Sequence, residues 1–238
     1  VEEGAKRKHL MAVAALRREK LSDLPGALAV LEELALDADG DLVVTRALLA
    51  VVAELHDMER YLVVGERLLA QVGEAELDGA FFAQLAQAYE EAAGDMEHAK
   101  HYYEVATQLD PSAPEPRARL TQLAKATGDY ATYAAMCELR LETENDDARR
   151  LDAYKELADI YTTRLASSRR AVEMLLKARE IDPADRELLR RLADAYVLDA
   201  TTHPQAADAY RALLRSDPFD VDVLRILARL QGQSGDTE

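Results

Sequence analysis

Three stretches of this chain lie over one another without a gap: "LAQAYEEAAGDMEHAKHYYEVATQLDP" at 85–111, "LADIYTTRLASSRRAVEMLLKAREIDP" at 157–183, and "LADAYVLDATTHPQAADAYRALLRSDP" at 192–218. They share Leu-Ala-x-x-Tyr, a central Ala and a closing Asp-Pro, and differ nearly everywhere else. A few fixed positions at constant spacing are what a recurring structural unit requires: residues that touch the next element are constrained, and those that face water or a ligand are free.

The spacing inside one stretch is helical. Phe82, Leu85, Ala86 and Tyr89 fall at i, i+3, i+4 and i+7, which makes one apolar stripe. Ala99, Tyr103 and Ala106 make a second stripe. Gly94-Asp95 between them reads as a helix stop and a new start, and Asp110-Pro111 as the end of the second helix. Neither helix hides its stripe alone, so the unit is a helix pair that stacks on its neighbours. The central place recurs as Ala27, Tyr61, Ala99, Tyr133, Ala171 and Ala206, with gaps of 34 to 38 residues. The expected fold is all-α, a stacked array rather than one closed globule.

This frame resembles the tetratricopeptide repeat (TPR) family, W-x2-L-G-x2-Y…A-x3-F…P. It stands here as Phe82, Leu85, Ala86, Tyr89, Ala99, Tyr103 and Pro111. It returns as Tyr154, Leu157, Ala158, Tyr161, Ala171, Leu175 and Pro183, and again as Leu189, Leu192, Ala193, Tyr196, Ala206, Tyr210 and Pro218. Alanine replaces the family's small Gly, and Tyr and the central Ala stand one residue further apart than is usual. The extra residue is expected in the turn. The resemblance implies a right-handed superhelical α-solenoid of antiparallel helix pairs. Read as one domain over 1–238, it has repeats at about 5–40, 41–78, 79–112, 113–147, 148–184 and 185–219, then a terminal helix at 220–238.

Units two and four depart in the same way. "HDMERYLVVGERLL" at 56–69 aligns with "GDYATYAAMCELRL" at 128–141, an offset of 72, and both put Tyr (Tyr61, Tyr133) where the others have Ala. Both also have a small residue, Val52 or Ala124, where the others have Tyr. Either the two volumes are exchanged across the helix pair, or the register slips by one there. The offset also relates Ala27, Ala99 and Ala171, which points to a duplicated two-repeat block. The first residue is Val, and residues 220–238 carry one helix of a pair, so the chain reads as a segment of a longer bacterial repeat protein rather than an array with its own cap.

Composition excludes several functions. Net charge is −16, and residues 21–110 hold four basic against 19 acidic residues. Such a surface repels phosphates, so no nucleic-acid partner is expected, and a basic protein partner suits 21–110. The longest apolar run, "ALLAVVA" at 47–53, is too short to span a bilayer, so direct membrane insertion is not expected. The cytoplasm is favoured, with a periplasmic or exported context left open by the Val start. Cys137 is the only cysteine, read as packing inside a helix pair. No phosphate loop, dinucleotide fingerprint, nucleophile elbow or H-E-x-x-H occurs. His98 and His101, at i and i+3, lack a third ligand and flank the core position Ala99. The chain is therefore read as non-enzymatic, with no metal and no cofactor.

By the same resemblance, the first helices of successive units line a concave groove. The candidate ligand-binding residues there are Arg46, Gln87, Glu90, Gln122, Lys155, Asp159, Arg190, Asp194 and Arg225. Lys155, Arg190 and Arg225 each stand two before the frame leucine, a basic ladder able to hold a carboxylate-bearing peptide. The plainer reading is that Lys155–Asp159 and Arg190–Asp194 are i,i+4 pairs that neutralise each other. The family's chaperone-tail clamp needs asparagines on the first helices, and the only one here is Asn145, in a linker. The expected function is a protein–protein interaction scaffold that binds a peptide or helix of its partner. The alternative is a regulatory or substrate-presenting arm of a larger enzyme or assembly. An open array end also leaves homo-oligomerisation open.

Overall fold

The computed structural model describes residues 2–37 and 40–234, with side chains over 4–36 and 40–232. Among these residues it is all-α. The helices run in chain order as α1 (Glu2–Glu19), α2 (Leu24–Asp37), α3 (Leu42–Leu55), α4 (Met58–Val72), α5 (Gly79–Ala88), α6 (Met96–Leu109) and α7 (Pro114–Thr127). They continue as α8 (Tyr130–Leu141), α9 (Asp147–Thr163), α10 (Ser168–Ile181), α11 (Arg186–Val197), α12 (His203–Ser216) and α13 (Val221–Ser234). None among the described residues is long and apolar enough to cross a membrane. The chain divides into two compact units, Val1–Leu123 and Ala124–Glu238, with the boundary inside α7. In the first, α1 to α6 each pack on the next; in the second, α8 to α13 do the same.

The frame positions are the buried ones. Ala27, Ala99, Ala171 and Ala206 have no exposed surface, and neither have Ala86 and Ala193 on the facing helices. A methyl group at these places lets two helices approach closely, and anything larger would hold them apart. Tyr61 and Val52 are both buried in the second repeat, as are Tyr133 and Ala124 in the fourth. Neither the large nor the small residue of either repeat is exposed by the departure from the frame. Cys137 is a free, buried thiol inside the core of the second unit.

Asp-Pro closes the pairs by a local mechanism. The N–H of Asp110, Asp182 and Asp217 donates the last helical hydrogen bond, to Ala106, Ala178 and Leu213 respectively. The following residue is Pro in each case and has no N–H to satisfy. The carboxylate reaches past it to accept from the next N–H, at Ser112 (3.0 Å), Ala184 (3.2 Å) and Phe219 (3.3 Å). One short acidic side chain therefore ends a helix and sets the turn.

The turn inside each of the first five pairs is left-handed. Ser22, His56, Gly94, Gly128 and Ala166 all have positive φ, between 48° and 74°. Ser22, Gly94 and Ala166 are spaced by 72 residues, and so are His56 and Gly128, so the sequence offset is also a backbone offset. Only two of the five are glycine, because a left-handed residue needs room at Cβ rather than one identity. The three L side chains hold this conformation at a cost of about 1 kcal/mol each. Ala166→Gly is therefore expected to raise stability slightly, by roughly 0.5 kcal/mol after glycine's own entropy loss. A chemical-denaturation midpoint below that of the parent would contradict this.

The extra residue between Tyr and the central Ala is handled in two ways. In the third repeat it is not in the loop: α5 runs on into a π-helical turn, Tyr89–Ala93, and the widened turn absorbs it before Gly94. In the fifth and sixth repeats it does lie in the connection, where Ser167 N–H donates to the Tyr161 carbonyl and the Thr202 hydroxyl to that of Tyr196. Asp95 N–H makes the same reach to the Tyr89 carbonyl. All three routes end on the frame tyrosine's backbone.

Candidate functional site

The frame tyrosines carry their hydroxyls to carboxylates. Tyr89 donates to Glu66, Tyr103 to Glu90 (3.2 Å), Tyr133 to Glu156 (2.6 Å), Tyr161 to Glu138 (2.7 Å) and Tyr210 to Asp194. The Tyr89–Glu66 and Tyr161–Glu138 bonds are again 72 residues apart. A buried ring thus ends in a wet, acidic rim, which satisfies the hydroxyl where the core meets solvent. Burial pushes Tyr103 and Tyr161 up to about 12, with Glu138 adding to the rise at Tyr161. Burial and the neighbouring carboxylate raise Tyr89, Tyr133 and Tyr210 as well.

A second set of contacts joins successive first helices. Lys155 Nζ on α9 lies 2.9 Å from the carboxylate of Asp185, which is the N-cap of α11 and accepts from the N–H groups of Glu187 and Leu188. Arg190 on α11 repeats the contact 3.5 Å from Asp220, whose carboxylate accepts from Val223 N–H at the start of α13. Arg7 on α1 pairs in the same way with Asp41, the N-cap of α3. An aspartate at a helix N-terminus is already favoured by the helix dipole; the cation from the preceding repeat fixes where that helix begins. The Lys155 ammonium in turn holds the Asp185 carboxyl below the usual carboxylate range.

These contacts show how the candidate residues are used. Lys155 pairs with Asp185, not with Asp159; Asp159 accepts from Arg191, whose other hydrogen bond goes to the Lys155 carbonyl at 2.9 Å. Arg190 stands between Asp220 and Asp194, at 3.5 and 3.8 Å. Among the described residues Arg225 forms an ion pair with Asp222, at 3.6 Å, and both side chains are largely in solvent. In the first unit Glu90 accepts from Arg119 at 2.9 Å and from Tyr103, and Arg119 also reaches Gln122 at 3.3 Å. Gln87 donates to Glu91 (2.9 Å), and Arg46 is exposed, with no ion pair to another described residue. The structure therefore brings Glu90 and Gln122 together around Arg119, and ties Lys155, Asp159 and Arg190 into the joints between helices.

Arg119, Asp185, Arg191 and Asp220 are absent from the sequence-based candidates. The signal for them is a pair of opposite charges nearly one repeat apart: Glu90 with Arg119, Lys155 with Asp185, Arg190 with Asp220. The histidines separate. His98 stacks on Tyr89 (ring centroids 4.9 Å) and bonds Asp95, while His101 meets Tyr102 edge-on. Four clefts of about 70 to 310 Å³ indent the units, and none is lined by any of the nine candidates.

The titrating groups set a stability window. Asp57, Asp95, Asp110, Asp185 and Asp199 are all held below their ordinary value by hydrogen bonds at helix ends and turns. Depressed carboxylates contribute stability above about pH 4 that is lost as pH falls through the folded values. The raised tyrosines contribute below about pH 10 and lose that contribution as pH climbs through about 12. Melting temperature should thus be flat between these limits and fall at both edges. On the alkaline side, phenolate absorbance should appear together with loss of helix. Tyrosines that all ionise near pH 10 in a folded chain would contradict the coupling.

No family model matches the chain, and no curated protein matches it. Solved structures do. YrrB, a TPR protein with an unusual peptide-binding site, is 18% identical, with 76% of this chain and 89% of that one covered at a TM-score of 0.47. The C-terminal part of a TPR repeat-containing protein from Cytophaga hutchinsonii is 16% identical, covering 86% and 78% at 0.44. A tetratricopeptide repeat protein from Parabacteroides merdae is 16% identical, covering 94% and 83% at 0.43. Identities this low say nothing of ligand or partner. With its consecutive helix pairs, alanines buried where the helices meet and Asp-Pro closures, the chain is an all-α helical-repeat protein.

Proposed function

We propose that the chain is a non-enzymatic protein-interaction scaffold, and that a peptide or a partner's helix lies along the outward row of its first helices. The observation that carries this is a division of labour at repeat spacing. Side chains two before the frame leucine, Lys155 and Arg190, spend their charge on the next helix. Those two after it stand further into solvent, with Gln87 half-exposed and Gln122, Asp159 and Asp194 exposed, although Asp159 also accepts from Arg191 and Asp194 from the Tyr210 hydroxyl. Polar groups spread in a row, instead of converging on one cleft, suit an elongated ligand rather than a small substrate. In the first unit, Gln87 and Gln122 each offer a donor and an acceptor, the pair a peptide main chain needs. Arg46 precedes them in sequence and Glu90 lies between them. In the second unit, the exposed Asp159, Asp194 and Arg225 favour charged ligands. The excess of carboxylates over 21–110 adds attraction for a basic segment, which salt should weaken.

The test is peptide-library panning against the immobilised 238-residue chain, followed by affinity measurement on the enriched sequences. Gln87→Ala with Gln122→Ala in one unit, or Asp159→Ala with Asp194→Ala in the other, is expected to lower affinity about tenfold with little change in melting temperature. An absence of enrichment, or enriched peptides indifferent to all four substitutions, would overturn the reading.

A further inference from the structure

The offset of 72 residues relates two sites, one inside each unit, that share their walls but not their contents. Tyr89 donates to Glu66, and Tyr161 to Glu138. His98 stacks on Tyr89 with ring centroids 4.9 Å apart, and the Arg170 guanidinium lies over Tyr161, 5.9 Å from its centroid. The floor is a buried ring in both, Phe82 in the first unit and Tyr154 in the second. Each residue of the first site stands 72 before its counterpart in the second. One position breaks the match: Tyr102 corresponds to Met174.

That exchange decides what fills the space. In the first unit the half-buried Tyr102 stacks on Phe82 (5.9 Å, 15°) and on Tyr89 (5.5 Å, 24°). Its hydroxyl lies at an acidic rim: burial, then the charges of Glu74 and Glu66, raise it above the ordinary value. In the second unit the shorter place-holder, Met174, is buried, and a cleft of about 230 Å³ stands beside it, lined from α8, α9 and α10. This is smaller than the roughly 300–1,000 Å³ of sites for drug-sized ligands and suits a single side chain. Tyr154, Met174 and Leu141 give it an apolar floor. On one rim the exposed Glu142 forms no ion pair with another described residue. On the other, the exposed Lys177 holds Nζ 5.8 Å from the Tyr154 centroid. The floor ring thus already serves as a π surface, for a flexible side chain that an incoming ring can move aside.

We propose that this cleft receives a tyrosine side chain from a partner protein, with the ring on Tyr154 and Met174, as Tyr102 lies on Phe82, and the hydroxyl toward Glu142. The chain itself supplies the template, since the sister site holds a tyrosine between the same walls. The incoming ring gains an aromatic contact with Tyr154 and a sulfur–aromatic contact with Met174. Its hydroxyl donates to a carboxylate that is otherwise left to solvent, a charge-assisted hydrogen bond. Phenylalanine would leave Glu142 without that donor, and leucine would lack the π face. The site is separate from the row of Gln87, Gln122, Asp159 and Asp194 and is tested without it.

The test uses the full 238-residue chain with carbon-13 in its methionine methyl groups, five in all, Met174 among them. Met174→Leu, a volume-conserving change, assigns the Met174 resonance by its loss. Titration with N-acetyl-tyrosine amide is expected to shift that methyl upfield by ring current, saturably and with the millimolar affinity that suits one residue. N-acetyl-phenylalanine amide should bind about threefold more weakly for want of the hydroxyl, and N-acetyl-leucine amide about tenfold more weakly. Met174→Tyr should fill the cleft from within, as Tyr102 does. Saturation transfer from that variant to the tyrosine probe should show affinity lowered about tenfold or more, with helicity kept. No saturable shift at Met174, equal shifts at all five methionines, or a phenylalanine or leucine probe that matches the tyrosine probe would each overturn the proposal. So would a folded Met174→Tyr chain that takes up the probe as the parent does; if that variant does not fold, the methyl shifts of the parent decide alone. A Met174 shift that grows with protein concentration in the absence of probe would overturn it in favour of a second copy as the occupant.

Discussion

Ala171→Glu is expected to unfold residues 124–238 at temperatures where the parent chain is fully helical. Ala171 has no exposed surface and sits in one cluster with Leu157, Ala158, Tyr161, Met174 and Leu175. A glutamate there adds four heavy atoms beyond the methyl group, three of them a carboxylate with no counter-charge in the cluster. Overpacking alone costs about 1–3 kcal/mol, and an uncompensated buried charge about 3–5 kcal/mol. Even if the glutamate takes up a proton to avoid ionising, the hydroxyl still lacks a partner. The sum approaches the whole stability of a typical domain, about 5–15 kcal/mol. Leu176→Glu on the same helix is the control, because Leu176 is 42% exposed and should change the melt little. Thermal melts followed by circular dichroism would separate the two. Equal melting temperatures for both variants would mean that the central alanine does not set the helix contact.

The positions that fix this contact were readable from spacing alone, since a buried alanine must recur wherever two helices touch. Tyr89, Tyr161 and Tyr210 were likewise legible as frame residues, although their bonds to Glu66, Glu138 and Asp194 were not. A hydroxyl at the edge of a core accepts any nearby carboxylate, and nothing local in sequence says which. The basic ladder shows the limit more sharply. Lys155 and Asp159 have ideal i,i+4 spacing for a helix pair, and sequence reasoning weighed that pairing against a ligand. The structure places Lys155 on Asp185 instead of Asp159, because Asp185 sits at a helix N-terminus 2.9 Å away and its carboxylate is held there by two backbone N–H groups. A preorganised carboxylate outcompetes a flexible one. The π-helical turn after Ala88 was hidden for a related reason: an inserted residue in a helix and one in a loop leave the same spacing between Tyr and Ala.

Exchanging the two residues that trade places in the second repeat should discriminate between a swap of volumes and a slip of register. Tyr61 is 1% exposed and Val52 not at all, and Tyr61 packs near Phe81 with ring centroids 6.4 Å apart. Burial, with the charge of Asp78 second, raises its hydroxyl well above the ordinary value, so the ring belongs to the core. Tyr61→Ala is expected to cost roughly 3–5 kcal/mol through lost transfer energy and the cavity left behind. Val52→Tyr alone should cost about 1–3 kcal/mol by overpacking, since Tyr61 still fills the space. If the two sites share one volume, the double variant Val52→Tyr/Tyr61→Ala restores the order of the third repeat, which has Tyr89 before the turn and Ala99 after it. The new tyrosine then occupies the cavity that the first substitution opened. The expected coupling is favourable by about 1–3 kcal/mol, so the double variant melts above Tyr61→Ala. Additive losses in a double-mutant cycle would show that the sites do not share a cavity, and that the second repeat packs its tyrosine in a pocket of its own. The same cycle at Ala124 and Tyr133 should recover less. There the tyrosine also donates to Glu156 at 2.6 Å, and moving the ring forfeits that hydrogen bond.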